Sequence, residues 1–277
     1  MKFKIVGDSC TDLLPEDLQK PYFESVPLTI DIGGHEVVDD ETFEQLDFLK
    51  RVDRYEKCPK SACPSPETYM QHFADADEVY VITLSAKLSG SYNSAQLAKK
   101  LYEQEHPEVS VHIFDSKSAA AGQYLLAKKL EQYALSGKSF DEIVELGSAF
   151  RDEMNTLFVL ESLDTLRKNG RLTGVKAVVA AALNIKPYMC GEDGVIAQLG
   201  QARGMKKAMH KMIDHIGLLG SDFSAKTAVV SHCNCEGRAV QVKQEMMERY
   251  HFKEILVLPT RGISSLYAND GGIIIAF

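Results

Sequence analysis

VYVITLSAKLSGSYNSAQLAKKL, residues 79–101, carries the clearest structural signal in this chain of 277 residues. Its β-branched and aromatic run, Val79 to Leu84, predicts a buried strand, and the apolar residues at helical spacing from Ala95 to Leu101 predict a helix. A strand that leads into a helix is the repeating unit of α/β proteins with a parallel sheet. This stretch therefore predicts an α/β fold.

The loop inside this stretch is rich in hydroxyl groups and contains a glycine. The start of the following helix offers unpaired N–H groups and the positive end of the helix dipole, which favour an anion. Gly90 lets the backbone approach a ligand closely. The loop therefore predicts an anion-binding site, with the alternative that Ser89 only caps the helix. The hydroxyls of this loop belong to Thr83, Ser85, Ser89 and Ser91.

Two more predicted strands lead into polar loops of the same kind. Strand Lys2–Val6 precedes the loop Asp8–Asp12, and strand Val109–Phe114 precedes the loop Asp115–Ser118. Ligands of open parallel sheets bind outside the carboxyl ends of the strands, so the three loops should share one edge. Converging polar loops of this kind predict a small-molecule site.

The proline-rich loop CPKSACPSP, Cys58–Pro66, is predicted to be irregular and to end in a helix start. Ser65 would be the N-cap and Pro66 would take the first helical position. The hydroxyls of Ser61 and Ser65 are expected to join the same edge. Farther along the chain, Ser139 and Glu142 form a predicted capping box at the start of another helix.

The pattern of elements changes after about residue 150. A strand from Thr156, a short helix Ala177–Leu183, a hairpin around Gly191–Gly194 and a long helix from about Ala202 mix hairpins with helices. Such a mixture indicates an α+β arrangement. We therefore predict two domains, a Rossmann-like parallel-sheet domain over residues 1–153 and an α+β mixed-sheet domain over residues 154–277.

The composition excludes several classes of function. A net charge of -8 without a basic run argues against nucleic acid and anionic membranes as partners. Six cysteines are too sparse for a disulfide framework. The chain lacks a signal peptide and an apolar run of transmembrane length, so we expect a cytoplasmic protein without stable membrane insertion. Motifs for dinucleotides, P-loop phosphates and α/β-hydrolase chemistry are also missing, and no cofactor is expected.

Three polar clusters carry weaker signals. The segment from His232 to Cys235 contains potential metal ligands, but a structural zinc site needs two separated ligand pairs, so no metal is predicted. His232 could act as the base for a nucleophilic Ser89, which leaves an enzyme of acyl or phosphoryl transfer as an alternative. Arg203 and Lys206 open a predicted helix and form either a solvated face or a surface for a partner.

Short motifs along nearly the whole chain match the pattern of one family. In order they are Asp8-Ser9-x-x-Asp12-Leu13, Val26-Pro27-Leu28, the Ser61-to-Pro66 loop, Leu88-Ser89-Gly90-Ser91-Tyr92, Asp115-Ser116-Lys117, Ser162-Leu163 through Gly170-Arg171, Leu183-Asn184-Ile185-Lys186-Pro187, Ala202-Arg203-Gly204 and the final Ala276-Phe277. Their order and spacing are specific. The chain resembles the DegV family of bacterial fatty-acid-binding proteins, the lipid-binding subunits of the fatty acid kinase system.

The resemblance implies a long-chain fatty acid as ligand, with its acyl chain between the two domains. It implies that the serine of the SG motif, Ser89 beside Gly90, and a hydroxyl of the proline-rich loop, Ser61, hold the carboxylate. A partner kinase phosphorylates the bound carboxylate in this family, so the chain is expected to be a non-catalytic carrier. Arg203 and Lys206 are the expected partner surface. Supporting contacts to the ligand are expected from Ser65, Ser91 and His232.

Two positions depart from the family pattern. The loop that usually reads Thr-Ser-Gln-Pro-Ser-Pro is Ser61-Ala62-Cys63-Pro64-Ser65-Pro66 here and lacks one hydroxyl. Many members carry a histidine in a His-Thr-Gly-Pro-Gly segment before the last strand, where this chain has Tyr267, with Asp270 nearby to repel an anion. A tyrosine hydroxyl can donate a hydrogen bond, so we expect Tyr267 to assist. A carrier of another amphipathic carboxylate without a kinase partner is the remaining alternative.

Overall fold

The structure, a computed structural model, describes residues 2–172 and 184–277. Within them the strands are β1 (Phe3–Asp8), β2 (Phe23–Val26), β3 (Thr29–Ile32), β4 (His35–Val38), β5 (Lys60–Ala62), β6 (Glu78–Thr83), β7 (Ser110–Asp115), β8 (Thr156–Val159), β9 (Ile185–Glu192), β10 (Val195–Arg203), β11 (Thr227–His232), β12 (Glu254–Pro259) and β13 (Ile273–Ala276). The helices are α1 (Pro15–Leu18), α2 (Gln45–Arg54), α3 (Pro66–Gln71), α4 (Ser91–Glu105), α5 (Ala121–Leu135), α6 (Phe140–Glu153), α7 (Asp164–Lys168), α8 (Met205–Leu219), α9 (Glu236–Tyr250) and α10 (Gly262–Ala268). In these ranges no helix is both long and apolar enough to cross a membrane.

Four strands form a parallel sheet in the order β2-β1-β6-β7. Val79 and Val81 of β6 pack on the side of α3 and α4, whereas Tyr80 and Ile82 pack on the side of α5. Because both faces of the sheet are covered, the four central residues of the strand, Val79–Ile82, are all apolar or aromatic. The predicted parallel α/β sheet is confirmed.

A second sheet of six strands has the order β10-β9-β8-β13-β11-β12. Only β11 and β12 are parallel, and the other neighbours are antiparallel. Ala228 and Val230 of β11 face the core beneath α8 and α9, and Val229 faces α5. Helix α5 therefore lies between the two sheets. The predicted mixed sheet is confirmed, and the domain boundary between residues 153 and 154 stays a prediction.

A small antiparallel sheet, in the order β4-β3-β5, corrects two predictions. The apolar and β-branched pattern over residues 23–32 predicts one strand with an edge or bulge at Pro27. That prediction is wrong, because Pro27 has no N–H to donate and separates β2 in the parallel sheet from β3 in the small one. The proline-rich loop is not wholly irregular, since β5 pairs with β3 and places Ser61 opposite Ile30.

Helix starts agree with the local signals in two cases and differ in two others. Ser65 caps α3, and Ser139 forms the predicted capping box of α6. The long helix predicted from Ala202 begins three residues later, at Met205, because Ala202 and Arg203 still pair with β9. Helix α10 was not expected. The predicted helix Ala177–Leu183 lies outside the described residues.

The three polar loops meet at the carboxyl edge of the parallel sheet, as predicted. The Leu84 amide donates to the Asp8 carboxylate at 2.7 Å. The Ser85 amide donates to the Ser118 carbonyl at 2.9 Å, and the Ala120 amide donates to the Cys10 carbonyl at 3.1 Å. These bonds fix the loops as one surface facing the mixed sheet.

Candidate functional site

A cavity lies between this loop surface and the mixed sheet. Its walls come from the loops after β1, β6 and β7 on one side and from β8, the β9–β10 hairpin and α10 on the other. Among the described lining residues none is acidic. The apolar walls suit an apolar small-molecule ligand. The apolar lining includes Leu28, Leu84, Leu88, Phe158, Leu160, Ile263 and Ile274.

Three of the predicted carboxylate-binding residues line this cavity. Ser61 on β5 and Tyr267 on α10 are 206 positions apart, yet their side-chain oxygens lie 2.9 Å from each other. Ser89 lines the same cavity, and its Oγ accepts a hydrogen bond from the Ser91 amide at 3.2 Å. Because that bond uses a lone pair of Ser89, its O–H is left to donate to a ligand.

Arg171 joins these hydroxyls although the sequence reasoning did not select it as a ligand contact. Its guanidinium lies over the Tyr267 ring, 6.0 Å from the centroid, and its Nε donates to the Leu88 carbonyl at 3.1 Å. A guanidinium is always charged and suits a carboxylate geometrically. We call Ser61, Ser89, Arg171 and Tyr267 the polar end of the cavity. The only signal for Arg171 was its place after Gly170, which does not reveal what it faces.

Gly90, which was expected to contact the carboxylate, lies next to the cavity but is not among its described lining residues. It is the N-cap of α4 with an ordinary φ of -73°. A Cβ at this position would lie 3.1 Å from the Cys63 sulfur, and the nearby Ser94 hydroxyl donates to the Pro64 carbonyl at 2.5 Å. The missing side chain therefore lets the proline-rich loop pack against the SG loop, which brings β5 close to Ser89.

The residues expected to support ligand binding lie outside the described cavity lining. Ser65 is exposed and accepts the Thr68 amide as a helix cap. Ser91 donates to the Asp8 carboxylate at 2.6 Å, and His232 accepts the Cys235 amide through Nδ1 at 3.3 Å. In the described structure these three side chains make hydrogen bonds within the protein, and they do not lie at the polar end.

The remaining predicted residues lie on the surface. Arg203 at the end of β10 and Lys206 in the first turn of α8 are both exposed. Asp270 is exposed as well and accepts a hydrogen bond from the Asn234 amide group at 3.1 Å. Since Asp270 does not line the cavity, the expected repulsion of an anion is not supported by the geometry.

Buried carboxylates hold α10, and with it Tyr267, against the loops. Asp39 accepts the amides of Gly262 and Ile263 at 2.7 and 2.9 Å, and Asp12 accepts the Arg261 amide at 2.7 Å. Burial raises the pKa of both carboxyl groups. The two side chains act as distant caps for the start of α10.

Cys10 contributes a thiol to the cavity wall. Burial, with the nearby Asp12 and Asp8 carboxylates, raises the pKa of the Cys10 thiol well above its usual value. The thiol is therefore neutral at physiological pH and behaves as a small apolar group.

Over residues 2–172 and 184–277, no cluster of three or more His, Cys, Asp or Glu side chains could hold a metal ion.

Comparison with known proteins places the chain in a family. Residues 2–277 match the family model described as "Uncharacterised protein, DegV family". A DegV domain-containing protein of Streptococcus gordonii is 37% identical, with 100% of this chain and 99% of that protein covered. A DegV family structure from Ruminococcus gnavus, refined with vaccenic acid, has 46% identity and a TM-score of 0.96 over 99% of each chain. The Fatty Acid Kinase (Fak) B3 protein of Streptococcus pneumoniae, loaded with linoleic acid, has 35% identity and a TM-score of 0.92 over 100% of this chain and 99% of that one. The chain belongs to the DegV family.

Proposed function

We propose that this protein binds a long-chain fatty acid between an N-terminal domain, residues 1–153, and a C-terminal domain, residues 154–277. The acyl chain fills the apolar cavity. The carboxylate is held by Ser61, Ser89 and Tyr267 and neutralised by Arg171. The observation that carries the proposal is an apolar cavity in which three hydroxyls and a guanidinium gather at one end. The vaccenic and linoleic acids of the similar structures support the same class of ligand.

The two parts of such a ligand contribute differently to binding. Each buried methylene gains about 0.8 kcal/mol, so about fifteen of them gain on the order of 12 kcal/mol before the costs of association. A hydrogen bond to a charged group contributes about 1.5–3 kcal/mol. The acyl chain therefore supplies most of the affinity, and the polar end sets the orientation.

A carrier role fits the surroundings of Ser89 better than a catalytic one. A serine nucleophile needs a base within hydrogen-bond reach. In the described structure Ser89 Oγ is bonded to the Ser91 amide, and His232 is bonded to the Cys235 amide. These contacts favour a non-catalytic protein that holds a carboxylate through neutral hydroxyls.

The first test is denaturing extraction and mass spectrometry of the protein purified from a bacterial host without added lipid. We expect about one long-chain fatty acid per chain, because an apolar cavity with a polar end takes up available amphiphiles. Purified protein that is empty and takes up no added fatty acid would contradict the proposal and favour the enzyme alternative.

We further propose that the bound carboxylate is presented to a partner kinase, which forms an acyl phosphate. The similar Fak B3 protein carries the name of a fatty acid kinase, and exposed Arg203 and Lys206 offer a basic surface for a partner. Tyr267 at the polar end keeps a hydroxyl where many family members carry histidine. A carrier without a kinase is the competing proposal.

Charge reversal separates these two proposals. With a fatty acid kinase catalytic subunit and ATP, the double variant Arg203→Glu/Lys206→Glu should lose at least about tenfold in acyl phosphate formation, because rim charges control association. Its Kd for fatty acid should be unchanged. The control is Lys243→Glu, a charge reversal on α9. Equal rates for wild type and the double variant would exclude this surface, and no acyl phosphate with wild type would favour the carrier without a kinase.

A further inference from the structure

The cavity contains a second polar feature away from its polar end. The hydroxyls of Ser118 and Thr156 both line the cavity and lie 2.7 Å from each other. Ser118 belongs to the loop after β7, and Thr156 opens β8 in the mixed sheet. Both residues are buried. We call them the distal hydroxyl pair.

Strand geometry gives the separation of this pair from the carboxylate site. Thr156 and Leu160 are four residues apart along β8 and its continuation, which corresponds to about 13 Å at about 3.3 Å per residue. Leu160 packs in one cluster with Leu166, Leu88 and Tyr267, and so lies toward the polar end. An extended acyl chain advances about 1.3 Å per methylene, given single C–C bonds of about 1.5 Å. This distance corresponds to about ten carbons of an extended chain between the distal hydroxyl pair and the Leu160 region.

The pair has hydrogen-bonding capacity that its described contacts do not use. The two hydroxyls share one hydrogen bond at 2.7 Å, and the Ser118 hydroxyl also donates to the Ala119 carbonyl at 3.4 Å. Each hydroxyl carries one proton and two lone pairs, so lone pairs on both oxygens stay free. A third hydroxyl brought by a ligand could donate to one of them.

Lys117 beside the pair explains why the partner should be neutral. Lys117 lines the cavity, and its ammonium is paired with Asp152 at 3.1 Å and Asp193 at 2.9 Å. Its positive charge is thus already balanced by two carboxylates. A second ligand carboxylate would find no uncompensated cation here, whereas a hydroxyl needs none.

We infer that the cavity selects, among long-chain fatty acids, those that carry a hydroxyl about ten carbons from the carboxylate, with Ser118 and Thr156 as the recognising residues. This inference rests on the proposed fatty acid binding and adds a substrate class to it. A hydroxyl buried against apolar walls alone is penalised, and a hydrogen-bonding partner removes that penalty. The pair supplies such a partner where β8 begins.

The test compares three ligands on the purified, delipidated full-length protein: stearate, 12-hydroxystearate and 3-hydroxystearate. The double variant Ser118→Ala/Thr156→Val replaces both hydroxyls by apolar groups and so leaves neither without its partner. Valine also suits a strand position. The matched control Thr156→Ser keeps a hydroxyl at the same place.

The double variant should raise the Kd of 12-hydroxystearate at least about fivefold relative to that of stearate. The ratio of the Kd of 3-hydroxystearate to the Kd of stearate should not change in the double variant, because the hydroxyl of this acid lies at the polar end. Thr156→Ser should keep the wild-type ratio for 12-hydroxystearate within about twofold.

An unchanged ratio for 12-hydroxystearate in the double variant would overturn the inference while leaving the proposed function intact. An equal loss for both hydroxylated acids would overturn it too, since the effect would not depend on depth. If wild-type protein binds none of the three acids, the proposed function itself fails. Melting temperature and stearate affinity of each variant report whether the fold and the cavity are preserved.

Discussion

Each polar side chain at the cavity's polar end is positioned by a protein contact. Ser61 and Tyr267 hold each other, Ser89 is fixed by the Ser91 amide, and Arg171 is fixed by the Leu88 carbonyl. Side chains that are already ordered lose little entropy when a ligand binds. Binding at this end therefore depends on which hydrogen bonds each residue still has to offer.

Ser89→Ala tests that dependence at a single residue. Loss of one hydrogen bond to the carboxylate should weaken fatty acid binding by about 1.5–3 kcal/mol, which raises Kd about 10- to 150-fold without abolishing binding. Ser89→Thr keeps the hydroxyl and should stay close to wild type. Ser136→Ala, on the exposed end of α5, is the control.

Isothermal titration with a fatty acid measures these affinities. A Kd for Ser89→Ala within twofold of wild type would remove Ser89 from the carboxylate site.

Among the elements, two helices obtain their N-terminal caps in different ways. Helix α6 is capped by its own Ser139, whose Oγ accepts the Glu142 amide while Glu142 accepts the Ser139 amide at 2.8 Å. Helix α10 is capped by Asp39, which is 223 residues away from Gly262. The Ser139 cap is local and can be removed without changing the cavity. The Asp39 cap is part of the packing around the cavity.

Ser139→Ala should lower the free energy of unfolding by about 0.5–2 kcal/mol, because the α6 amides lose their side-chain acceptor. Fatty acid affinity should not change. Urea unfolding monitored by circular dichroism measures the loss, with Ser136→Ala as the matched serine outside the capping box. Equal unfolding midpoints for the two variants would show that the capping box adds no stability.

At the scale of the whole molecule, the layers are helices α3 and α4, the parallel sheet, helices α5 and α6, the mixed sheet, and helices α8 and α9. Apolar residues of both sheets pack on α5, for instance Ile82 from the first and Val229 from the second. The cavity lies at the carboxyl edge of the parallel sheet, where the loops reach the mixed sheet. Stability of this packing and binding in the cavity are therefore coupled.

His112 on β7 makes the stability of the whole molecule sensitive to acid. Burial, together with the positive charges of Lys99 and Arg151, lowers the pKa of the His112 imidazole to about 4. In the unfolded chain the pKa is about 6.5. As pH falls from 6.5 toward 4 the unfolded state therefore binds a proton that the folded state does not, and the free energy of unfolding decreases.

His112→Gln should reduce this decrease between pH 7.5 and pH 4.5 by about 1–2 kcal/mol. Urea unfolding of both proteins at the two pH values measures the difference. His35→Gln on the exposed strand β4 is the control. Parallel stability profiles for wild type and His112→Gln would contradict the lowered pKa.

Local signals in the sequence determined the parallel sheet, the convergence of its three polar loops and the caps of α3 and α6. The strands and the caps depend on side-chain periodicity and on contacts within about four residues, which a sequence displays directly. The convergence of the loops follows because the carboxyl ends of parallel strands share one edge of the sheet. The motifs of the family added Ser61, Ser89 and Tyr267 as candidates for one site. The amino-acid order alone was sufficient for that part of the fold and of the site.

Only the tertiary structure decided which candidates meet. It paired Ser61 with Tyr267, brought Arg171 beside them, and left Ser65, Ser91 and His232 outside the described cavity lining. It also formed α10 on a cap from Asp39 and set Ser118 against Thr156. The physical reason is that such contacts join residues far apart in the chain, and their geometry is fixed by the packing of whole sheets and helices against one another.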